Sequence, residues 1–278
     1  MAQFNLNPKQ IRQYHTEGYI IAQQLFNNAE VERFYSIATE DDVVNKNSYN
    51  MVDKDGKNSK LALWFTPGND SFGLMSKSES LVKAVDGLLD NPASPVCHFH
   101  SKLMQKEPMV GGAWEWHQDY GYWYKNEFLY PDQMMSVMVA ITDANKENGC
   151  LQVIKGSHKM GRVEHGVIGQ QNGAAQKYVD LALQKMELIY VELKAGDVLF
   201  FHSNLLHRSD ANTSDKSRWS IISCYNRQSN SAANLESNSC ITPLATVSDD
   251  TILGTTATGL ADGLDFLSTD KDKSLDEA

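Results

Sequence analysis

The sequence predicts a mainly β fold, an antiparallel sandwich or barrel with helices packed against it, and three observations predict it. From residue 95 the chain is a succession of short strand-like runs, VCHFHSKLMQKE, AWEWHQDYGYW, MMSVMVAITDA, GCLQVIKGSH, LIYVELKAGDVLFFHS, LLHRSDA and RWSIISCYNRQ, parted by Gly, Asn and Asp turns. Many short strands at close spacing make a sheet that closes on itself or on a second sheet. The first third instead carries helical periodicity between capping residues. No internal repeat and no Ser/Gly-rich linker divides the chain, so residues 1–265 are read as one domain with a β core over about 95–245.

The elements follow in order. Asn7 is a helix N-cap with Pro8 in the first helical position, Ile11 and Tyr14 or His15 repeat at helical spacing, and Gly18 ends the helix. YIIAQQLF reads as a short strand. NNAEVERFYSIATED is a second capped helix with Val31, Phe34, Tyr35 and Ala38 on one side. ESLVKAVDGLLD is a third, with Leu81, Val85, Leu88 and Leu89 in phase before Asn91-Pro92 closes it. Among the later strands, residues 159–187 read as a polar insertion of loop and helix. Residues 266–278 are acidic, poor in large apolar groups and expected to be flexible.

Composition narrows the function. With 41% hydrophobic side chains in 278 residues, a sizeable core can form. A net charge of −10 argues against a nucleic-acid partner, because phosphate contacts need a concentrated basic face. No apolar run reaches the roughly 18 residues of a membrane span, and the first twenty residues lack a signal-peptide core, so the expectation is a soluble, cytoplasmic protein with no membrane partner. Cys97, Cys150, Cys224 and Cys240 have neither zinc-site spacing nor the density of a disulfide scaffold and are read as reduced, buried thiols.

The chemistry centres on WEWHQDYGYWY, residues 114–124. In a strand, residues i and i+2 share a face, so His117 and Asp119 can reach one ion. An H-x-D pair alone is common by chance, and a third ligand is needed. GDVLFFHSNLLHRSDANTSDKSRWSIISCYN supplies His207, with Arg218 eleven residues beyond it, while His202 stands as second choice. Two imidazoles and a carboxylate on one face of an octahedron are the donor set of non-haem Fe(II), with three positions left for a bidentate 2-oxo acid and dioxygen.

HQD, the NGC…GSH turn at 148–158, GDVLFFHSNLLH and Arg218 together resemble the phytanoyl-CoA dioxygenase family of Fe(II)- and 2-oxoglutarate-dependent oxygenases. The resemblance covers nearly the whole chain, including GYIIAQQLF after the first helix. It implies a double-stranded β-helix, or jelly roll, with the N-terminal helices on the major sheet. It also implies His117, Asp119 and His207 as iron ligands, Arg218 on the distal carboxylate of 2-oxoglutarate, and Ser209 near the cosubstrate. Strand geometry adds Ser220, which alternation puts on the face of Arg218. The implied reaction couples decarboxylation of 2-oxoglutarate to hydroxylation of a substrate carbon. Asp119 stands where related halogenases have a small residue, which favours hydroxylation.

The surrounding residues carry weaker expectations. Alternation turns Trp114 and Trp116 away from the metal, under the N-terminal helices. His98 and His100 share a phase with Lys102 and Met104 and read as structural histidines, whereas a lysine inside a barrel needs an anionic partner, so Lys102 is a candidate cosubstrate or substrate contact. His158 reads as ordering a turn. Tyr120, Tyr122 and Trp123, with Tyr124, form either plain core or an aromatic wall for an amine. Arg162 and His165 lie on the insertion expected to overhang the site. Donors for an anion beside aromatics for an amine suit a small polar substrate, and among small-substrate members the chain resembles the 2-aminoethylphosphonate hydroxylases of phosphonate catabolism. Amino-acid or betaine-like compounds and acyl-CoA are the alternatives, and an inactive metal-binding β-helix protein is the non-enzymatic one.

Overall fold

The computed structural model describes residues 4–232, 239–256, 259–260 and 265–267. The chain opens with α1 (Pro8–Glu17), capped as expected: the Asn7 side chain accepts from the Lys9 and Gln10 backbone, and Gly18 closes the helix at φ 85°. Then come β1 (Tyr19–Ala22), α2 (Asn28–Glu40), α3 (Asp42–Asn47), β2 (Tyr49–Val52), β3 (Asn58–Trp64), α4 (Ser71–Ser76), α5 (Glu79–Leu88) and β4 (Val96–Lys106). The first third is therefore not all helix. The β2–β3 hairpin lies outside the expectation, although its turn carries a readable Asp55-Gly56 pair, with Gly56 at φ 82°. Tyr35 also departs from its expected place: it is 44% exposed, and Ile37 takes the buried stripe of α2 with Val31, Phe34 and Ala38.

The rest comprises β5 (Trp114–His117), α6 (Asp119–Trp123), β6 (Met134–Ala140), β7 (Leu151–Ile154), β8 (His165–Ile168), β9 (Gln171–Ala174), α7 (Gln176–Lys185), β10 (Leu188–Val191), β11 (Val198–His202), β12 (His207–Ser209), β13 (Arg218–Arg227) and α8 (Thr251–Gly254). Seven strands form the major antiparallel sheet in the order β1-β11-β6-β13-β4-β3-β2, and four form the minor sheet, β10-β7-β12-β5. The insertion holds a β8–β9 hairpin as well as its expected helix.

Two apolar layers result from the period-2 alternation of the major sheet. One face, with Leu103, Val137, Val139, Phe200 and Ile221, packs on Phe34, Leu81 and Val85 of the helices. The other face, with Met104, Met138, Leu199, Phe201 and Ile222, meets Leu151 and Val153 of the minor sheet. Each such side chain contributes about 1.5–3 kcal/mol relative to exposure. The four cysteines are free and buried. Of the stretch expected to be flexible, Phe266 bridges Trp64 and Leu267 donates its backbone N–H to the Leu63 carbonyl, while 268–278 lie outside the described residues. Among the described residues no helix is long and apolar enough to cross a membrane.

Candidate metal centre

The site forms where the minor sheet faces the major one. His117 of β5 and His207 of β12 are direct cross-strand partners, which places their rings 4.1 Å apart. Asp119 does not sit on the strand, as alternation suggests, but opens α6. Gln118 between them stays extended at φ −112° and ψ 134°, so the two side chains still emerge on the same side. The ligand atoms of His117, Asp119 and His207 lie within 4.8 Å of one another, and all three residues are buried. Asp119 Oδ1 is 3.7 Å from His117 Nε2 and 3.8 Å from His207 Nε2.

Both histidines are oriented in the same way. Nδ1–H of His117 donates to the Glu115 carbonyl at 2.7 Å, and that of His207 to the Leu205 carbonyl at 2.8 Å. Each therefore turns the lone pair of Nε2 toward the carboxylate, as a metal ligand must. Burial, and then the neighbouring imidazole, holds His117 well below its ordinary pKa, and burial lowers His207 as well. Burial alone would raise Asp119, but the Lys102 ammonium at 4.0 Å, His207 and a hydrogen bond from Ser136 Oγ outweigh it and hold the carboxyl below its usual range. Neutral imidazoles beside an ionised carboxylate are the state that binds a divalent cation.

The turn carrying these ligands is held from the insertion. Gln118, fully buried, donates to the Gly161 and Asn204 carbonyls and accepts from the Val163 N–H, each at 2.8 Å. His165 Nε2 accepts from the Gln118 N–H at 3.0 Å, and its ring lies so close against Gly121 that an added Cβ there would clash with it. Burial brings His165 down to about 4, so it is neutral and keeps that acceptor. His165 thus braces the turn at residues 117–119 and is absent from the cavity wall, where the polar insertion was expected to bring it. Arg162 also departs from expectation, stacking on the Tyr124 ring at 4.3 Å.

Two cavities meet at the triad. One is lined by Lys102, Trp114, His117, His207, Ser209 and Arg218, among others. Arg218 is buried, donates through Nε and Nη2 to the Gly149 carbonyl and through Nη1 to Ser220 Oγ at 3.3 Å. Burial brings it to about 10, still cationic at neutral pH. Ser220 acts on Arg218 and does not line the cavity. Lys106, which carries no signal in the sequence, is buried opposite Arg218 in the β4–β13 register and donates to the Ser209 and Asp210 carbonyls, fixing the strand that carries Ser209.

The second cavity, about 750 Å³ and open to solvent, reaches from His117 and Asp119 to the β2–β3 hairpin. Lys102, Tyr122 and Trp123 line it; Tyr122 meets the His117 ring edge-on at 5.6 Å. Tyr120 does not line it: buried in the second core layer, its hydroxyl donates to the Phe128 carbonyl. Trp114 lines both cavities, against expectation, because β5 advances three residues from Trp114 to His117 while β12 advances two. That bulge puts both side chains on one face. Trp116 packs with Ile154, Leu206 and Val179, away from the N-terminal helices. A second bulge, at Phe99, splits the expected phase of β4: His100 faces the cavity, whereas His98 bonds Ser101 and meets the Tyr225 ring. His202 is paired with Asp132 at 2.9 Å and takes no part in the triad, and His158 Nε2 ties its turn to the His15 carbonyl.

Fold and site together define a class: a two-sheet β-helix with two histidines and one carboxylate converging on facing strands, the donor set of mononuclear non-haem iron. The comparisons agree. Residues 14–220 match the family described as phytanoyl-CoA dioxygenase (PhyH), and the chain belongs to that family. A phytanoyl-CoA dioxygenase of Arabidopsis thaliana is 34% identical over 122 residues, 43% of this chain and 41% of that protein. The L-proline trans-4-hydroxylase of Streptomyces griseoviridis is 29% identical over 154 residues, 50% of this chain and 58% of that one. Those matches thus span about half the length of either relative. An ectoine dioxygenase of Bordetella bronchiseptica is 23% identical over 244 residues, 81% of this chain and 77% of that protein. The apo structure of EctD from S. alaskensis superposes with a TM-score of 0.67 at 18% identity over 88% of this chain and 91% of that one, which shows the shared fold. The structure of EctD with 2-oxoglutarate and 5-hydroxyectoine superposes at 0.64, at 18% identity and with the same coverage.

Proposed function

We propose that the protein is an Fe(II)- and 2-oxoglutarate-dependent oxygenase that hydroxylates a small molecule, with His117, Asp119 and His207 as iron ligands. The observation that carries this reading is the convergence of two Nε2 lone pairs and one carboxylate oxygen beside a cavity that ends on Arg218. Iron, when bound, supplies the activation of dioxygen and its coupling to 2-oxoglutarate decarboxylation. The chain's own groups do the rest. Three of the five N–H donors of Arg218 are engaged, so two remain for the distal carboxylate of the cosubstrate, with Ser209 beside it. Lys102 stands between the two cavities, where it balances the charge gathered at the metal.

The expectation of 2-aminoethylphosphonate needs Lys102, Arg162 and His165 as phosphonate donors. With Arg162 on Tyr124 and His165 bracing Gln118, Lys102 alone of the three reaches the cavity, and that substrate loses its support. The function is tested by incubating the protein with Fe(II), 2-oxoglutarate and oxygen and measuring succinate. Iron-dependent succinate is expected, and metal binding without any succinate would favour the inactive metal-binding protein.

A further inference from the structure

The larger cavity divides its chemistry unevenly. Six aromatic side chains, Tyr49, Phe65, Phe99, Trp114, Tyr122 and Trp123, line it from both sides, and aliphatic residues of β3 such as Leu61 and Leu63 complete its floor. Among the described residues lining it, the charged ones are Lys102 and Asp119. Asp119 belongs to the triad. Lys102 lies 4.0 Å from it, at the border with the cosubstrate cavity. Burial, and then Lys102, keeps His100 well below its ordinary pKa, so it is a neutral hydrogen-bonding group. Asn126 also lines the wall, and Tyr49 and Tyr122 add phenol groups to their rings.

Among the described residues the carboxylate in this wall is Asp119, which the triad engages, so the ammonium of a zwitterion would find no free carboxylate there. Aromatic faces attract cations, but the Lys102 ammonium in the same space repels a second one. Among the described residues a phosphonate or carboxylate would have one cationic partner, Lys102, and a dianion would remain half-compensated in an apolar wall. An apolar body, by contrast, meets rings and aliphatic groups on most sides. Resting on the oxygenase reading, we infer that the substrate is a carbon-rich, ring-bearing molecule, uncharged or with a single acidic group, whose ring system lies among the aromatic side chains and whose reacting C–H points at the His117–Asp119 edge. An acidic or carbonyl group on such a molecule lies toward Lys102 and His100.

The test is calorimetric and independent of turnover. Protein loaded with Zn(II) and 2-oxoglutarate is titrated with naphthalene-2-carboxylate and with 2-naphthol, then with L-proline, glycine betaine, 2-aminoethylphosphonate and butanoyl-coenzyme A. Saturable one-site binding of the two naphthalene probes is expected, with no heat from the zwitterions at tenfold higher concentration. Leu63→Glu, which puts a carboxylate against the ring system, should weaken naphthalene-2-carboxylate at least about tenfold while 2-oxoglutarate affinity stays as in the parent. Phe65→Glu gives a second reading should Leu63→Glu lose 2-oxoglutarate as well. Binding of a zwitterion in preference to the naphthalenes, tighter binding of butanoyl-coenzyme A than of either, or naphthalene binding unmoved by both variants would overturn the inference. Loss of the oxygenase reading is separate: it shows as a parent protein that fails to bind 2-oxoglutarate or to form succinate.

Discussion

Replacing Arg218 by alanine removes a buried cation that already makes three hydrogen bonds and has two further donors, which the proposed function assigns to the cosubstrate. Truncating one partner of a buried, hydrogen-bonded charge pair costs about 2–5 kcal/mol, which is roughly thirtyfold to several-thousandfold in Kd. The side chain is 3% exposed, so water cannot easily replace the lost guanidinium, and the expected loss is in the upper part of that range. Arg218→Lys keeps the charge but loses the planar fork, so it should recover only part of the affinity. Isothermal titration of 2-oxoglutarate into Zn(II)-loaded protein reads the effect. Circular dichroism of each variant, together with Zn(II) affinity at the neighbouring triad, shows that the fold persists. Equal 2-oxoglutarate affinity in parent and Arg218→Ala would refute the assignment, whereas weakened cosubstrate with intact Zn(II) binding supports it.

His117→Ala and His207→Ala each remove one of three metal donors, so equilibrium dialysis should find iron lost from both, and full occupancy in either variant would sink the triad. Gln118→Leu keeps the volume but leaves three backbone groups without their partner, at about 1–3 kcal/mol for each of the two buried ones on Val163 and Asn204, and should lower metal affinity roughly tenfold or more through misplacement of His117 and Asp119. Parent-like metal affinity in that variant would remove Gln118 from the site's support. His98 is fully buried and burial brings it to about 3, so its neutral form is favoured in the fold. As pH falls from about 6.5 toward 3 the unfolded chain takes a proton that the folded one refuses, and stability drops by about 1.4 kcal/mol per pH unit for this group. His98→Gln should flatten the pH dependence of urea unfolding by that slope between pH 6 and 4, and an unchanged slope would contradict the burial argument.

Local rules make much of the molecule legible from its residues. Asn7, Pro8 and Gly18 bound the first helix, since caps act within one turn and need no tertiary partner. His117, Asp119, His207 and Arg218 stand out because their residue types and spacing restrict the chemistry, and the fold brings them together. Expectation and structure part where a single extra residue changes the face of everything beyond it. Strict alternation misplaces Trp114 and His98, because bulges opposite Ser209 and Cys224 reverse them. The polarity of the insertion suggests that Arg162 and His165 overhang the site, yet one stacks outside and the other braces Gln118.

The sequence by itself thus determined the fold class, the capped helices and the choice of His117, Asp119 and His207 as the residues that converge, all of which rest on short-range periodicity or on the few residue types able to bind a hard or borderline cation. Tertiary structure decided which side chains surround that set. Lys106 opposite Arg218, Ser136 on Asp119, and the β2–β3 hairpin over the larger cavity come from strands far apart in the chain. Their meeting depends on strand order and register, which are settled by how two whole sheets bury their apolar faces and not by any local stretch of residues.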